Sequence, residues 1–172
     1  TVLSRGLGDV YKRQLQRGEV SFSELAPGVW MHTTYKTIEP WGPSVSHGLV
    51  ITRGDHSVLV DTAWNDAQTA DILAWAEDEL GAPVTQAVFT HAHDDKMGGV
   101  GAVRASGARS FALALSNQLV PTRDLVPAEE DLAIQAVGEA VMLDGVEIYY
   151  PGGGHTHDLS LIHISEPTRQ DR

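Results

Sequence analysis

The chain has 172 residues, of which 42% are hydrophobic and none is cysteine, and this predicts one domain with a sizeable core. Lysine and arginine number 12 against 23 aspartate and glutamate residues, so the formal net charge is −11. We therefore expect no binding to nucleic acid or to an anionic membrane surface, because both repel such a chain. No apolar stretch approaches the roughly 20 residues that cross a bilayer, and disulfides and zinc–thiolate sites are excluded.

The two ends of the chain read as translated DNA adapters. Residues 4–14, SRGLGDVYKRQ, and residues 159–169, LSLIHISEPTR, back-translate to two DNA strings that are reverse complements and resemble a transposase-type library adapter. We therefore expect residues 1–14 and 159–172 to be non-native, and residues 15–158 to be one truncated domain. The alternative is a genuine N-terminal arm and a genuine C-terminal strand.

The first part of this insert has the pattern of an antiparallel meander. Segments with the alternating or β-rich pattern of strands lie at residues 20–25, 29–35, 46–53 and 57–61. The turns between them are predicted at Pro27-Gly28, residues 40–43 and Gly54-Asp55, because these are typical turn sequences.

The spacing of the apolar residues changes after the fourth predicted strand. Residues 66–80 carry apolar side chains at helical spacing and are followed by Gly81 and Pro83, which predicts an amphipathic helix. Residues 84–89 form a short β-rich run, so a strand, a helix and a strand predict a parallel pair with a right-handed crossover. Further elements are predicted as helices at 99–105 and 116–120 and as strands at 110–114, 140–143 and 146–150.

Polar clusters follow the two parallel strands, at residues 61–66 and 90–95. This is the edge of a parallel sheet at which ligands bind. His91, His93 and Asp95 alternate, so in an extended chain their side chains project to one side and can converge on a cation.

Imidazole and carboxylate are ligands that zinc prefers. The other interpretation of this triplet is a solvated polar loop, since an H-x-H pattern alone is weak evidence. Three features favour the metal site: the position after a strand, Gly98 and Gly99, which let the next helix approach closely, and a distant His155 in another glycine-rich loop.

Four motifs in combination resemble the metallo-β-lactamases: DTAW at 61–64, THAHDDKMGG at 90–99, ALSNQLVP at 114–121 and YPGGGHTHD at 150–158. The resemblance is greatest to subclass B1, particularly New Delhi-type enzymes, and covers nearly the whole insert. The wider superfamily usually has histidine after the aspartate of H-x-H-x-D, whereas this chain has Lys96 there, which favours subclass B1.

The resemblance implies a parent enzyme that hydrolyses the β-lactam amide bond and so confers antibiotic resistance. It implies a periplasmic monomer with an α/β (α+β) fold, the αβ/βα sandwich, of which this chain holds the N-terminal half and the start of the second half. It also implies that His91, His93 and His155 bind the first zinc ion and that Asp95 binds the second. These four residues are then catalytic, because a zinc-bound hydroxide that Asp95 orients attacks the lactam carbonyl.

The resemblance also suggests which residues contact the substrate. Residues 37–42 lie where the family has a mobile hairpin loop over the site, so Ile38 and Trp41 are expected to offer apolar contacts, and Trp64 to line the floor. The alternative for each is plain packing or an exposed turn. Asp61 is expected to orient a metal ligand or the loop, while ordinary surface or loop positions are expected for His32, His47, His56 and His157.

Part of the family's site has no counterpart in this chain. The Cys and His that complete the second zinc site, and the Lys and Asn that bind the substrate carboxylate, follow the GHT motif in the family and are missing here. We therefore expect an inactive fragment that binds at most one zinc ion and is poorly soluble. A third hypothesis is a B1-like hydrolase of another cyclic amide or ester.

Overall fold

The computed structural model describes residues 15–164. In chain order these residues form β1 (Leu15–Arg17), β2 (Val20–Ala26), β3 (Val29–Ile38), β4 (Gly42–Arg53), β5 (His56–Val60), α1 (Asp66–Leu80), β6 (Val84–Phe89), α2 (Asp94–Met97), α3 (Val100–Ser106), β7 (Arg109–Ala112), α4 (Ala114–Leu119), a 3₁₀ helix (Val120–Arg123), β8 (Glu130–Asp131), β9 (Ala140–Leu143), β10 (Val146–Tyr149) and β11 (Leu161–Ile164).

The first eight strands form one sheet in sequence order. Strands β1 to β5 pair antiparallel, while β5, β6, β7 and β8 pair parallel. The predicted meander and the predicted strand–helix–strand unit are both confirmed. The parallel strands β5, β6 and β7 therefore end at one edge, where the loops after β5 and β6 carry the polar clusters.

Helix α1 begins and ends at the signals in its sequence. The Asn65 side chain accepts a hydrogen bond from the Gln68 amide at 2.9 Å, and Gly81 closes the helix with a φ of 60°. The buried face of α1 brings Trp75 onto the sheet, where its ring stacks on that of Phe22 with centroids 3.9 Å apart.

The large sheet is buried on both faces. Val50 and Leu59 face the helices, whereas Ile51, Val58 and Val60 belong to a second cluster with the buried residues of β10. That second cluster lies between the large sheet and a three-stranded antiparallel sheet in the order β11, β10, β9. The chain is thus a mixed α/β sandwich of helices, large sheet and small sheet, and the expected fold class is confirmed.

Some bounds differ from the sequence prediction. Strands β3 and β4 extend to Ile38 and from Gly42, because ten residue pairs continue their antiparallel register up to the hairpin. Three short strands, β1, β8 and β11, were not predicted, and β11 lies in the segment expected to be non-native. Residues 1–14 and 165–172, the rest of those two segments, lie outside the described residues.

The expectation that His32 is an ordinary surface or loop histidine is wrong. His32 is fully buried on β3, where its Nε2 contacts the Asp61 carbonyl oxygen at 3.1 Å. Burial lowers the pKa of His32 to about 4, so the ring is neutral at pH 7. Gly48, which pairs with His32 on the neighbouring strand β4, has no side chain and leaves room for the ring.

Among residues 15–164, no helix has the length and apolar character needed to cross a membrane.

Candidate metal centre

Three histidine side chains converge at the edge of the large sheet. His91 and His93 lie in the loop after β6, and His155 lies in the loop between β10 and β11. Each offers a ring nitrogen, and these atoms all lie within 4.8 Å of one another. The three ring centroids are 4.6, 5.2 and 5.3 Å apart. Three imidazoles at this spacing fit one tetrahedral metal ion with a fourth position open.

The orientation of His91 is set by its neighbour Thr90. The Thr90 hydroxyl lies 3.1 Å from His91 Nδ1 and donates to Asp61 Oδ2 at 2.9 Å. Because that hydroxyl donates to Asp61, it accepts from a proton on His91 Nδ1, which leaves Nε2 as the ligand atom. His91 Nε2 lies 3.1 Å from His93 Nδ1, so the two ligand atoms face each other.

Both of these histidines favour the neutral form that a metal requires. Burial lowers the pKa of His91 to about 4, and the charge of His93 acts in the same direction. Burial also lowers the pKa of His93, together with the nearby charge of Arg123. At neutral pH the site therefore presents uncharged ring nitrogens.

Asp61 makes the contacts that its expected orienting role requires. Its Oδ1 accepts from the Thr90 amide at 2.7 Å, in addition to the Thr90 hydroxyl on Oδ2. Its backbone has a φ of 60°, which is uncommon outside glycine. Burial raises the pKa of Asp61 to about 7, and the charge of Lys96 opposes this rise.

Asp95 lies in α2, two residues after His93, but its carboxylate is outside the group of converging ligand atoms. The Ser46 hydroxyl donates to the Asp95 carbonyl at 2.8 Å, and Lys96 Nζ lies 3.2 Å from Asp95 Oδ2. The side chain is only partly exposed and is held against β4. Its expected role as a ligand of a second zinc ion stays a prediction.

The three expected substrate contacts lie in different surroundings. Trp64 is 8% exposed and lies beneath Lys36 Nζ, which is 5.5 Å from its ring centroid. Lys36 also binds Asp94 Oδ2 at 2.8 Å, so strand β3 is connected to the first residue of α2, directly after His93. Ile38 and Trp41 lie on the hairpin of β3 and β4, where Ile38 is half-buried and Trp41 is 81% exposed.

Two glycines let α2 and α3 pack closely against the loop after β5 and against α1, and the sequence predicts such a close approach. A Cβ atom on Gly98 would lie 2.3 Å from the Trp64 carbonyl oxygen, and one on Gly99 would lie 1.8 Å from the Thr69 hydroxyl. Neither contact is possible for a larger residue without displacing the helix.

Arg123 and Asp158 are two residues of the site that the sequence did not single out. Asp158 is fully buried, and its Oδ2 accepts from the Ala92 amide at 2.7 Å. Arg123 donates from its guanidinium to the Ala92 carbonyl oxygen. Burial favours protonation of Asp158, but the Ala92 amide and the Ser116 and Thr156 hydroxyls lower its pKa on balance. No sequence pattern gave a signal for Arg123, while Asp158 was visible only as the end of the YPGGGHTHD motif.

The other histidines lie away from the centre. His47 and His157 are exposed, as expected, and His47 Nδ1 lies 3.0 Å from the Thr33 hydroxyl. His56 bridges two carboxylates, with Nδ1 3.0 Å from Asp55 Oδ1 and Nε2 2.6 Å from Asp144 Oδ2.

Comparison with known proteins places the chain in a family. The family model described as Metallo-beta-lactamase superfamily matches residues 41–170. The chain is 32% identical over 148 residues to a metallo-beta-lactamase type 2 of Bacteroides fragilis, covering 85% of this chain and 58% of the relative. It is 34% identical over 154 residues to one of Bacillus cereus, covering 88% of this chain and 58% of that protein.

Solved structures agree with this assignment. A metallo-beta-lactamase of Hirschia baltica superimposes with a TM-score of 0.82 at 50% identity, covering 84% of this chain and 66% of that one. The FIM-1 enzyme of Pseudomonas aeruginosa, in its mono-zinc form, gives a TM-score of 0.81 at 46% identity, covering 87% and 66%. The chain spans 58% of the length of both curated relatives. It belongs to the metallo-beta-lactamase superfamily.

Proposed function

We propose that this chain binds one zinc ion through His91, His93 and His155, and that the longer protein it represents hydrolyses the amide bond of β-lactams. The observation that carries the proposal is the convergence of three imidazole nitrogens within 4.8 Å at the edge of a parallel sheet. A zinc ion bound there supplies a Lewis acid and lowers the pKa of water to about 7.

The chain's own residues prepare the site for that chemistry. Thr90 and Asp61 hold the ring of His91 so that Nε2 is its free nitrogen. Trp64 and the hairpin residues Ile38 and Trp41 supply an apolar wall for the substrate. The partly buried Asp95 carboxylate, beside Lys96, is available to orient the attacking water and to hold a proton.

Finer assignments belong to the same proposal. The parent enzyme is assigned to subclass B1, similar to New Delhi-type enzymes, because of the motif set and because Lys96 follows the H-x-H-x-D aspartate. The same resemblance implies that the parent is monomeric and periplasmic. The complementary DNA strings behind both ends favour a fragment of residues 15–158. Because the chain has no Cys, it cannot complete a second zinc site of the expected kind, and we propose that it is inactive by itself.

Metal titration of the full chain tests the three-histidine site. Co²⁺, followed by its visible absorption, is expected to bind with a stoichiometry of one and to be displaced by Zn²⁺. His155→Ala should weaken binding by more than the roughly 10- to 100-fold that a lost outer-sphere partner costs. His157→Ala, in the same loop and outside the ligand group, is the matched control and should bind normally. Equal affinity of both variants would refute the site.

Sequencing of the source DNA across both ends tests the fragment proposal. An Asn codon after residue 158, with Cys and His codons downstream, is expected, and the complete gene is then assayed against a penicillin and a carbapenem. A genomic reading frame that continues into LSLIHISEPTR would overturn the fragment proposal. A complete enzyme that opens lactones and spares both drugs would favour the hydrolase of another cyclic ester or amide.

A further inference from the structure

We infer that Arg123 and Asp158 are positioning residues, which together clamp the Ala92 peptide groups between His91 and His93 and so preset the geometry of the three-histidine centre. The inference rests on the proposed function, because it concerns how the proposed metal ligands are held. It concerns two side chains that offer no ligand atom to the histidine cluster.

The amide side of the clamp is a buried, charge-assisted hydrogen bond. Ala92 and Asp158 are both fully buried, and Asp158 Oδ2 accepts from the Ala92 amide at 2.7 Å. Hydrogen bonds to an ionised carboxylate are shorter and about twice as strong as neutral ones. A carboxylate in such surroundings needs its donors, because an unpaired buried charge is costly.

On the carbonyl side, the clamp is a hydrogen bond from the guanidinium of Arg123. Arg123, the last residue of the 3₁₀ helix after α4, donates to the Ala92 carbonyl oxygen. Among residues 15–164 this carbonyl is the one hydrogen-bond partner of the Arg123 side chain, and Arg123 takes part in none of the ion pairs there.

The two contacts act on the same short piece of main chain. The amide joins Ala92 to His91 and the carbonyl joins Ala92 to His93, so fixing both groups fixes the directions in which the two rings leave the chain. A negative charge at the amide and a positive charge at the carbonyl polarise the residue in the same sense, which strengthens both hydrogen bonds.

Asp158 also connects the third ligand. It follows His155 by three residues, in the loop between β10 and β11. The bond from the Ala92 amide to Asp158 therefore ties the loop that carries His155 to the loop that carries His91 and His93. Ser160 adds a parallel tie, because its amide and its hydroxyl both donate to the Thr90 carbonyl, at 2.8 and 3.2 Å.

The first test compares Arg123→Ala with Arg104→Ala. Arg104 is a matched control, since its guanidinium also donates to a main-chain carbonyl at 3.1 Å, but to that of Pro127, which does not lie between two histidines of the centre. We expect Arg123→Ala to weaken Co²⁺ binding about 10- to 100-fold, as loss of an outer-sphere partner does. Arg123→Lys, which keeps one charged donor, should recover part of the affinity. Arg104→Ala should leave the affinity unchanged.

The second test needs no metal. Hydrogen exchange of the Ala92 amide, measured by NMR on the metal-free chain, should be at least about 10-fold faster in Arg123→Ala and in Asp158→Asn than in Arg104→Ala. Amides of α1 should exchange equally in all variants, which separates local loosening from global unfolding.

The outcomes distinguish this inference from the proposed function. If the unchanged chain binds no Co²⁺, the metal site fails, and the exchange rates alone decide the clamp. If the chain binds Co²⁺ but Arg123→Ala matches Arg104→Ala in affinity and in Ala92 exchange, the clamp is overturned while the metal site stands.

Discussion

Gly48 is the residue that allows a histidine ring to lie inside the large sheet. A Cβ atom at this position would lie 2.2 Å from His32 Nε2 and 2.5 Å from the Val60 carbonyl oxygen. Both neighbours are buried and neither can move away without breaking the contact of His32 with the Asp61 carbonyl. The His32 ring therefore holds the main chain at Asp61, at the start of the loop after β5, and it fits there because residue 48 is glycine.

Replacing this glycine should therefore be costly. We expect Gly48→Ala to lower the free energy of unfolding by about 3 kcal/mol, the upper part of the range for overpacked cores. Gly54→Ala is the control, because Gly54 has a φ of 68° and no atom within 4 Å of its missing Cβ. It should cost only about 1 kcal/mol, from backbone strain alone. Urea denaturation of both variants makes the comparison, and equal losses would argue against the packing explanation.

Thr90 should control metal affinity without touching the metal. Thr90→Val removes the hydroxyl that joins His91 to Asp61, so the ring loses its fixed tautomer and orientation. We expect Zn²⁺ affinity to fall about 10- to 100-fold, and Thr90→Ser to restore it. Thr85→Val is the control, because Thr85 is an exposed residue of strand β6, which Thr90 follows. Zn²⁺ competition against a chromophoric chelator measures all three, and full affinity in Thr90→Val would contradict the orienting role.

At the scale of elements, a histidine joins the two sheets. His56 begins β5 in the large sheet, and it binds Asp144 in the turn between β9 and β10 of the small sheet. Arg53 supports the same junction by donating to the carbonyl oxygens of Asp144 and Gly145, at 2.9 and 3.2 Å. The hydrogen bonds of Asp55 and Asp144 raise the pKa of His56 above its ordinary value of 6.5.

This junction should make stability depend on pH. Because the folded-state pKa of His56 is raised, its stabilisation is complete below about pH 6.5 and is lost as the pH rises through the raised value. The lowered pKa of Asp55, caused by its hydrogen bond to His56, adds a second limit, since that contribution is lost in acid.

Urea denaturation at pH 5.5 and pH 8.5 checks this expectation. At pH 5.5 the unchanged chain should have a larger free energy of unfolding than His56→Gln. This difference in free energy should be smaller at pH 8.5. His47→Gln, at an exposed histidine bound to an uncharged hydroxyl, should show no such change. A gap for His56→Gln that is constant with pH would contradict the ionic junction.

The elements that the sequence predicted are those with a long period or a clear stop. Helix α1, the meander and the parallel strands follow from apolar spacing and from turn residues, and the place of His91 and His93 follows from the parallel edge. The inclusion of His155 with them came from its glycine-rich loop and from the family resemblance. Strands β1 and β8 escaped prediction, because two or three residues carry no period of their own. Strand β11 was not predicted because its segment was expected to be non-native. The burial of His32 was not predicted either, because it depends on a glycine in the neighbouring strand.

The clamp on Ala92 shows another limit of sequence reasoning. Arg123 lies 31 residues after Ala92 and Asp158 lies 66 residues after it. No local pattern relates three positions this far apart, and only the closure of the sandwich brings them together. The metal ligands themselves were visible because their residue types are chemically distinctive.

At the scale of the whole molecule, the small sheet has one face on the core and one outward. Val141, Ile148 and Ile162 contact the second core cluster, while large apolar side chains point away from it on each strand, namely Met142, Tyr149 and Leu161. Met142 is 58% exposed and Leu161 48%. Strands β9 and β11 are also the edge strands of this sheet within residues 15–164. Exposed apolar side chains beside open strand edges favour association.

We therefore expect the chain to self-associate. Size-exclusion chromatography with light scattering should show oligomers whose fraction increases with concentration. Met142→Lys together with Leu161→Lys should shift the population toward monomer, because lysine on edge strands opposes pairing. Leu25→Lys, at an exposed leucine on β2 of the large sheet, is the control for added charge alone. A monodisperse unchanged chain with a cooperative thermal transition would contradict this expectation.

The loop that carries His155 is anchored at both ends. Strand β10 precedes it, β11 follows it, and the Tyr150 hydroxyl donates to the His157 carbonyl at 2.8 Å within it. An imidazole tethered at two points is confined to a small volume, so its effective concentration at the other two rings is high. Loop-closure entropy grows only slowly with length. Residues added to the glycine run should therefore weaken metal binding little, whereas after detachment of β11 the second anchor of this loop would depend on the hydrogen bonds of Asp158 and Ser160 to the loop after β6.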